Sequence, residues 1–409
     1  MQIINDIQLD YADVLIRPQT TNINHRGEVE VVRHFKQLEP DLGMGYIEEF
    51  RCCPVMNANM TQTGTFEVAK VLLENDMIGC IHKFYNSDEI RDFLTNNPQC
   101  NKKTFFVTIG LRNQDEEIKK LEDIEFTNYK HSIMIDVPNA YIPDVEKLVK
   151  RVRKTFPQRI IAVGNVCTGD RTQELIKAGA QIIKVGVGPS QVCRTRHTTG
   201  CGRPQLSAVI ECADAAHQVG GLIIADGGFN MPGDISKAFV AGADICMSGS
   251  MFAGCDEASG EIIEKMYRTN EYNYGIYEAD SEESHGALTD ENGNSTKKGK
   301  LIDDSDCFII NNYHCLTLYK AHKPVYEIKK FKEYYGMSSF RAQKENYGKK
   351  TITGTSEGVE SKLIPYTGPV IDTINNIKGG LRSTGSYIGA KNIKSFSRQG
   401  SFYRVNRVQ

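Results

Sequence analysis

No apolar run in this 409-residue chain approaches the roughly 20 residues that span a bilayer, so no membrane-spanning helix is expected. The stretch Met1-Gln-Ile-Ile-Asn-Asp lacks the basic-then-apolar layout of a signal peptide. A charge excess is missing too. Lys and Arg number 49 against 51 Asp and Glu, a net charge of -2, so no global basic field recruits nucleic acid. The twelve cysteines form no compact framework, no CxxC pair occurs, and the nine histidines do not fall at ligand spacings with them. Reduced thiols and a cytoplasmic compartment follow as expectations, and a zinc site is disfavoured. No G-x-G-x-x-G follows the first strand-like run, which weakens an open dinucleotide-binding sheet.

What is present is an alternation that starts near residue 50. Short β-branched runs at Cys53–Met56, Met77–His82, Thr104–Ile109, Ser132–Val137, Arg159–Val163, Gln181–Val187, Gly221–Ala225 and Asp244–Ser248 read as strands. Amphipathic stretches at Thr65–Leu73, Ser87–Phe93, Gln114–Leu121, Val145–Thr155, Gly169–Lys177, Pro204–His217 and Gly233–Phe239 read as helices. Near-continuous apolar strands imply a parallel sheet buried on both faces. Eight such units predict an α/β fold of the TIM (β/α)8 barrel type. Polar and Gly-rich residues gather after the strands, where barrel enzymes build their sites. The phrase Ala-Gly-Ala recurs at 178–180 and 241–243, and reads as a Gly helix cap at two equivalent corners.

The pattern changes after about Tyr267. The barrel core is expected over 1–267, and 268–330 reads as a mobile, finger-like insertion after strand 8. Within it, Asp290-Glu-Asn-Gly-Asn reads as an exposed turn, and Cys307-Phe-Ile-Ile and Leu316-Thr-Leu-Tyr as paired strands. Residues 331–409 are expected to supply a flap loop, a final helix over Val370–Ile377 capped by Gly379-Gly380, and a basic tail that is either disordered or docked through Phe402 and Tyr403.

The chemistry centres on the loop Gly186-Val-Gly-Pro-Ser-Gln-Val-Cys193-Arg-Thr195-Arg196. Cationic neighbours lower a thiol pKa, and a thiolate can add to an electrophilic ring carbon. The alternative for Cys193 is a buried structural cysteine. Thr195 and Glu357 can serve in proton transfer. Asp226-Gly227-Gly228 and Gly249-Ser250 look like the paired loops after strands seven and eight that bind phosphate in barrels. Asp226 can accept from ribose hydroxyls or simply serve as a turn residue. Lys83 ends a strand at the mouth, or is a rim lysine. Asp136 and Asn139 form a polar pair for a second ligand.

In this order Gly-x-Gly-Pro-x-x-x-Cys193, Gly202-Arg-Pro-Gln-Leu-Ser, Ile224-Ala-Asp-Gly-Gly and Tyr335-Gly-Met-Ser-Ser resemble the inosine-monophosphate dehydrogenase and GMP reductase superfamily. The resemblance is closer to the reductase branch. Too few residues separate Lys83 from Thr104 for the dehydrogenases' regulatory domain, and Ser356-Glu357-Gly358 stands where they carry an Arg-Tyr pair. It implies NADPH-dependent conversion of GMP to IMP and ammonia, with Cys193 attacking C2 of the purine to give a thioimidate, assisted by Thr195 and Glu357. Asp226, Gly227, Gly228, Gly249 and Ser250 would hold ribose and phosphate. Gly336, Met337, Ser338, Gly354, Thr355, Ser356 and Gly358 would surround the base. His25, Arg26, Lys83, Asp136, Val137, Pro138, Val187, Gly188 and Thr353 would lie by NADPH, with Ser383, Thr384, Gly385 and Ser386 contributed near it by this or a neighbouring subunit. Gly188, Ser190, Cys193 and Arg196 match a loop for a monovalent cation such as K+. A homotetramer is implied. This chain has Ser190-Gln191 where relatives carry Gly-Ser, and Gly354 and Val359 where they carry cations. IMP dehydrogenase-like oxidation and a non-catalytic purine-nucleotide-binding regulator stand as alternatives.

Overall fold

The computed structural model describes residues 3, 5–35, 50–125, 131–278, 300–302, 318–348 and 355–405, with side chains described except at 125, 268–278, 300–302 and 318–326. Eight parallel strands carry the fold: β1 (Val55–Asn57), β2 (Gly79–Ile81), β3 (Phe105–Ile109), β4 (Ser132–Asp136), β5 (Ile161–Val166), β6 (Ile182–Val185), β7 (Leu222–Asp226) and β8 (Ile245–Ser248). Each pairs with its sequence neighbour, and β8 returns to β1 with Cys246 opposite Val55. A parallel bridge between Met56 and Ile78 joins the remaining seam between β1 and β2. The sheet is therefore a (β/α)8 barrel, as the alternation predicts.

Helices α1 (Phe66–Glu74), α2 (Ser87–Asn96), α3 (Gln114–Glu125), α4 (Pro143–Thr155), α5 (Gly169–Lys177), α6 (Gln205–Gln218) and α7 (Pro232–Val240) alternate with the strands. Their starts are encoded locally. Thr65 accepts from Val68 N–H at 3.2 Å, and Asn86 and Glu89 form a capping box. Pro143 and Pro232 open α4 and α7, where a missing N–H costs nothing. The two Ala-Gly-Ala corners take the left-handed backbone, with φ of +120° at Gly179 and +104° at Gly242.

Period-2 alternation divides the strand residues between two cores. Val107, Ile133, Ile135, Val163 and Ile183 pack outward against the helices. Met56, Cys80, Phe106, Met134, Ala162, Ile182, Ile224 and Met247 fill the barrel interior. An antiparallel pair, Arg33–Phe35 with Phe50–Cys52, adds the stacked rings of Phe35 and Phe50 to this inner core, with centroids 4.5 Å apart. One layer further toward the carboxyl ends, the same inward register brings up Asp136, Lys184 and Asp226. Those three residues start the functional site.

The last long helix differs from expectation. Gly379-Gly380 does not cap it. Helix α8 runs Val370–Ile388 and ends at Gly389, which has φ +71°. Buried Ile374, Ile377, Leu381 and Ile388 continue the helical spacing across the glycines. Gly380 is small because a Cβ there would lie 2.7 Å from Pro232 Cβ on α7. The tail docks as an antiparallel pair, Phe402–Arg404 against Val14–Ile16.

The chain forms two compact units, 1–261 with 332–409, and 262–331. The second contains most of two long strands, Ile262–Glu278 and Leu318–Tyr334. A short strand, Lys300–Ile302, is antiparallel to the first of these. The expected turn at 290–294 and the run 307–310 lie outside the described residues, as do 316 and 317. Among the described residues, no helix is long and apolar enough to cross a membrane.

Candidate active site

The loop after β6 carries the thiol to the barrel mouth. Its Sγ donates to Thr195 Oγ1 at 3.3 Å, and Thr195 Oγ1 donates to Glu357 Oε2 at 2.8 Å. Sulfur, hydroxyl and carboxylate thus form one line, whose last step joins residues 162 apart in sequence. The backbone fixes it. Arg194 N–H donates to Glu357 O at 2.7 Å, Cys193 and Gly358 form an antiparallel bridge, and Val359 N–H donates to Val192 O at 2.9 Å. The Tyr335-Gly-Met-Ser-Ser turn joins them through Gly336 N–H to Val359 O at 2.9 Å. Side chains would break this packing. A Cβ on Gly336 would lie 2.5 Å from Val192 O, and one on Gly358 2.5 Å from Ser339 N.

Below this line lies an ion-pair triad that the sequence reading did not single out. Lys184, 3% exposed, sits between Asp136 Oδ1 at 2.7 Å and Asp226 Oδ2 at 2.8 Å. Asn165 Nδ2 donates to the same Asp226 oxygen at 2.8 Å and to Gly186 O at 2.7 Å. Burial acts to lower the Lys184 pKa, but the two carboxylates outweigh it and hold it above the usual lysine range. Burial likewise acts to raise Asp136, and Lys184 with Lys83 reverses this and holds it below the usual carboxylate range. A lysine inside a run read as a doubly buried strand was the available signal, since buried charges are paired.

One cavity gathers Asp136, Val137, Pro138, Val187, Gly188, Ser190, Cys193, Thr195, Asp226, Gly227, Gly336, Met337, Ser338, Glu357 and Gly358. Asn59 and Met60 from the loop after β1 line it as well. The buried Asn59 amide faces the Asp136 carboxylate and helps to hold it ionised. Gly227 and Gly228 take φ of +84° and +85°, and a Cβ on Gly249 would strike the Tyr334 hydroxyl. Ser250 Oγ donates to Phe229 O at 2.8 Å. Lys83 is not among the residues lining this cavity; it packs beside Gly110, near enough for its charge to act on Asp136. Thr355 is exposed, and the single Ser356 hydroxyl proton is within reach of Glu360 Oε1 at 2.8 Å and of Gly358 O at 2.9 Å. Thr353 and Gly354 lie outside the described residues.

Other expected residues are not brought to this cavity within one chain. His25 and Arg26 stand at an exposed turn where His25 Nδ1 accepts Gly27 N–H. Ser383, Thr384, Gly385 and Ser386 belong to α8. Thr384 there meets Ser236 at 2.8 Å, and Gly385 packs against Val29. Arg196 does not reach for the thiol. Its guanidinium donates to Val187 O at 3.1 Å, to Arg203 O and to Asp10 at 3.4 Å, filling the space beside Gly188 and Gly202. Gln191 joins Asn230 to Lys362, the latter at 2.5 Å, so the Ser190-Gln191 departure brings a lysine beside this loop.

A parallel barrel with a thiol, a hydroxyl and a carboxylate hydrogen-bonded at its mouth and framed by glycine loops has the layout of a (β/α)8-barrel enzyme. The chain belongs to the IMP dehydrogenase / GMP reductase family, whose domain model matches residues 8–300 and 320–408. It is 38% identical over 405 residues to GMP reductase 2 of Mus musculus, covering 98% of this chain and 96% of that protein. It is 37% identical over 403 residues to GMP reductase 1 of Homo sapiens, with the same coverage. Against the GMP reductase of Photobacterium profundum it is 36% identical over 410 residues, covering 100% of this chain and 98% of that protein.

Proposed function

We propose that this protein is a GMP reductase, converting GMP and NADPH to IMP, ammonia and NADP. The observation that carries the reading is the Cys193–Thr195–Glu357 line at the mouth of a barrel whose full-length relatives bear that name. In the reaction, Cys193 sulfur bonds to purine C2, and the C2–N bond to the exocyclic amine breaks as ammonia leaves. Thr195 hands a proton between Glu357 and the departing nitrogen, as the hydrogen-bonded line permits. NADPH, when bound, supplies the hydride that C2 receives. The C2–S bond then breaks and Cys193 leaves as thiolate. The covalent route divides one hard displacement into two easier ones.

Ribose and phosphate are assigned to Asp226, Gly227, Gly228, Gly249 and Ser250, whose open backbone allows close amide approach. Gly336 to Ser338 and Thr355 to Gly358 would frame the base. Asp136, Val137, Pro138, Val187 and Gly188, with Asn59 beside Asp136, suit a cofactor on the other side of Lys184. His25, Arg26 and residues 383–386 lie away from this mouth, so their cofactor role needs a neighbouring copy and goes with a homotetramer. A monovalent cation would take the carbonyls of Gly188, Ser190, Cys193 and Arg196. Ser190 O and Arg196 O each accept one backbone N–H, which leaves each a second lone pair. Such an ion would order the loop that carries the thiol. A cytoplasmic setting is part of the same reading.

Loss of reduced-cofactor absorbance on adding GMP and NADPH tests this. The Cys193→Ser variant should lose activity by about 10³-fold or more while still binding GMP. Unchanged turnover in that variant would end the covalent route. NADH formation from IMP, with no consumption of NADPH with GMP, would replace the reductase reading by a dehydrogenase one.

A further inference from the structure

We infer that Lys184 is a positioning residue that couples the nucleotide and cofactor halves of the site, holding Asp226 for one and Asp136 for the other. The inference rests on the assignment of those two halves given above. Its basis is the geometry of three strand ends. β4, β6 and β7 each place an inward residue one layer above the barrel core, following Met134, Ile182 and Ile224. The residues are Asp136, Lys184 and Asp226, and one ammonium bonds both carboxylates at 2.7 and 2.8 Å.

The arrangement is held from outside as well. A Cβ on Gly164 of β5 would lie 2.5 Å from Lys184 Cβ and still closer to its carbonyl oxygen, so the neighbouring strand leaves room only for this lysine's backbone and stem. Asn165 and Gln205 fix the Asp226 side. Asn165 Nδ2 donates to the carboxylate, and Gln205 Nε2 donates to Val185 O at 2.8 Å and to Asp226 O at 3.3 Å. On the far side, Lys83 bears on Asp136.

Lys184 shares Asp226 with Asn165 and Asp136 with Asn59, and both aspartates line the cavity with acceptor sites beyond these bonds. A carboxylate can accept from a ribose hydroxyl or an amide only if it stays ionised and correctly turned. Two carboxylates buried together without a counter-ion would instead share a proton or rotate apart. Lys184 prevents both through its bonds to the two aspartates, at the floor of the cavity that it also lines. A movement of one aspartate on binding is therefore transmitted through the ammonium to the other.

Calorimetric titration of GMP and of NADPH, each alone, into the full-length protein tests this without requiring turnover. Lys184→Met should weaken both ligands by at least about ten-fold, because a buried pair loses its central charge. Lys184→Arg should recover part of that loss, since the charge is restored. The charge-balanced double variant Lys184→Met/Asp136→Asn leaves a single buried carboxylate, Asp226, still held by Asn165. GMP affinity should then return to within about three-fold of the parent while NADPH stays weak. This double variant also carries the test if Lys184→Met does not fold. Affinities unchanged in the folded Lys184→Met protein, or equal loss of both ligands in the double variant, would overturn the coupling. A lower melting temperature with both affinities intact would make Lys184 a stability residue and equally overturn it. Failure of the parent to oxidise NADPH with GMP would count against the reaction and leave these binding results to judge Lys184.

Discussion

Thr195 Oγ1 stands between a sulfur at 3.3 Å and a carboxylate at 2.8 Å, and a hydroxyl with two such neighbours can accept from one and donate to the other. If proton transfer runs along this line, its members act as a unit and their losses do not add. Thr195→Val and Glu357→Gln should each lower kcat by about 10²- to 10⁴-fold, and the double variant should fall no further than the worse single. Thr195→Ser keeps the hydroxyl and should keep most of the rate. Additive losses in the double variant would mean two separate roles. At this scale the sequence was partly legible. A cysteine after a Gly-rich strand exit, followed by Thr and Arg, points to chemistry. The direction of each side chain does not follow from spacing. Arg196 reads as a cation near the thiol, yet the folded loop spends its guanidinium on Val187 O, Arg203 O and Asp10. Lys184 sits in a run read as apolar strand, and its partners Asp136 and Asp226 belong to other strands, where no local pattern could pair them.

Helix α8 shows the same limit for whole elements. A Gly-Gly pair ordinarily ends a helix, because glycine gives up backbone entropy in a helix interior and favours a left-handed cap. Here tertiary packing prevails, as Ile374, Ile377, Leu381 and Ile388 bury one continuous stripe and the cap moves to Gly389. The two glycines then have different reasons to exist, and substitution separates them. Gly379 has open space where a Cβ would go, so Gly379→Ala should raise the melting temperature, by up to about 1 kcal/mol of stability. A Cβ on Gly380 would lie 2.7 Å from Pro232 Cβ, and Gly380→Ala should lower stability by about 1 to 3 kcal/mol. Thermal unfolding of the two single variants checks both signs. If Gly379→Ala also destabilises, the pair is a strained break inside α8. The barrel units themselves were legible, since each strand–helix repeat is a local pattern of period 2 and then 3.6. The edges were not. The floor pair Arg33–Phe35 with Phe50–Cys52 is three residues long per strand and held by Phe35 on Phe50, contacts that no periodicity reveals.

For the molecule as a whole, one buried histidine, His131, and one half-buried histidine, His82, set the acid limit of stability. Burial, with Arg159 adding to it, pushes His131 down to about 3. Burial also pushes His82 down to about 4, with its own backbone hydrogen bond opposing. In the unfolded chain both would titrate near 6.5. As pH falls below about 6.5 the unfolded state takes up protons that the folded state refuses, so stability present above that pH is lost progressively down to the folded values. By pH 5 each group costs about 2 kcal/mol on this linkage. His217 works the other way. Its hydrogen bond to Asp244 at 2.9 Å raises its pKa against burial, which adds stability at low pH and loses it as pH rises. Two downward shifts of this size outweigh one modest upward shift, so the melting temperature should fall between about pH 7 and pH 4.5. His131 is the better probe, because neither ring nitrogen has a hydrogen-bond partner among the described residues and an apolar replacement breaks no described bond. His131→Leu should leave the melting temperature near the parent's at about pH 7.5 and reduce the fall at pH 5 by roughly half, since one of two comparable terms is removed. A parallel decline in variant and parent would place the acid sensitivity elsewhere. The depressed carboxyls Asp136 and Asp244 would then be the next groups to test, because they lose their stabilising charge only as pH falls through and below the ordinary carboxylate range.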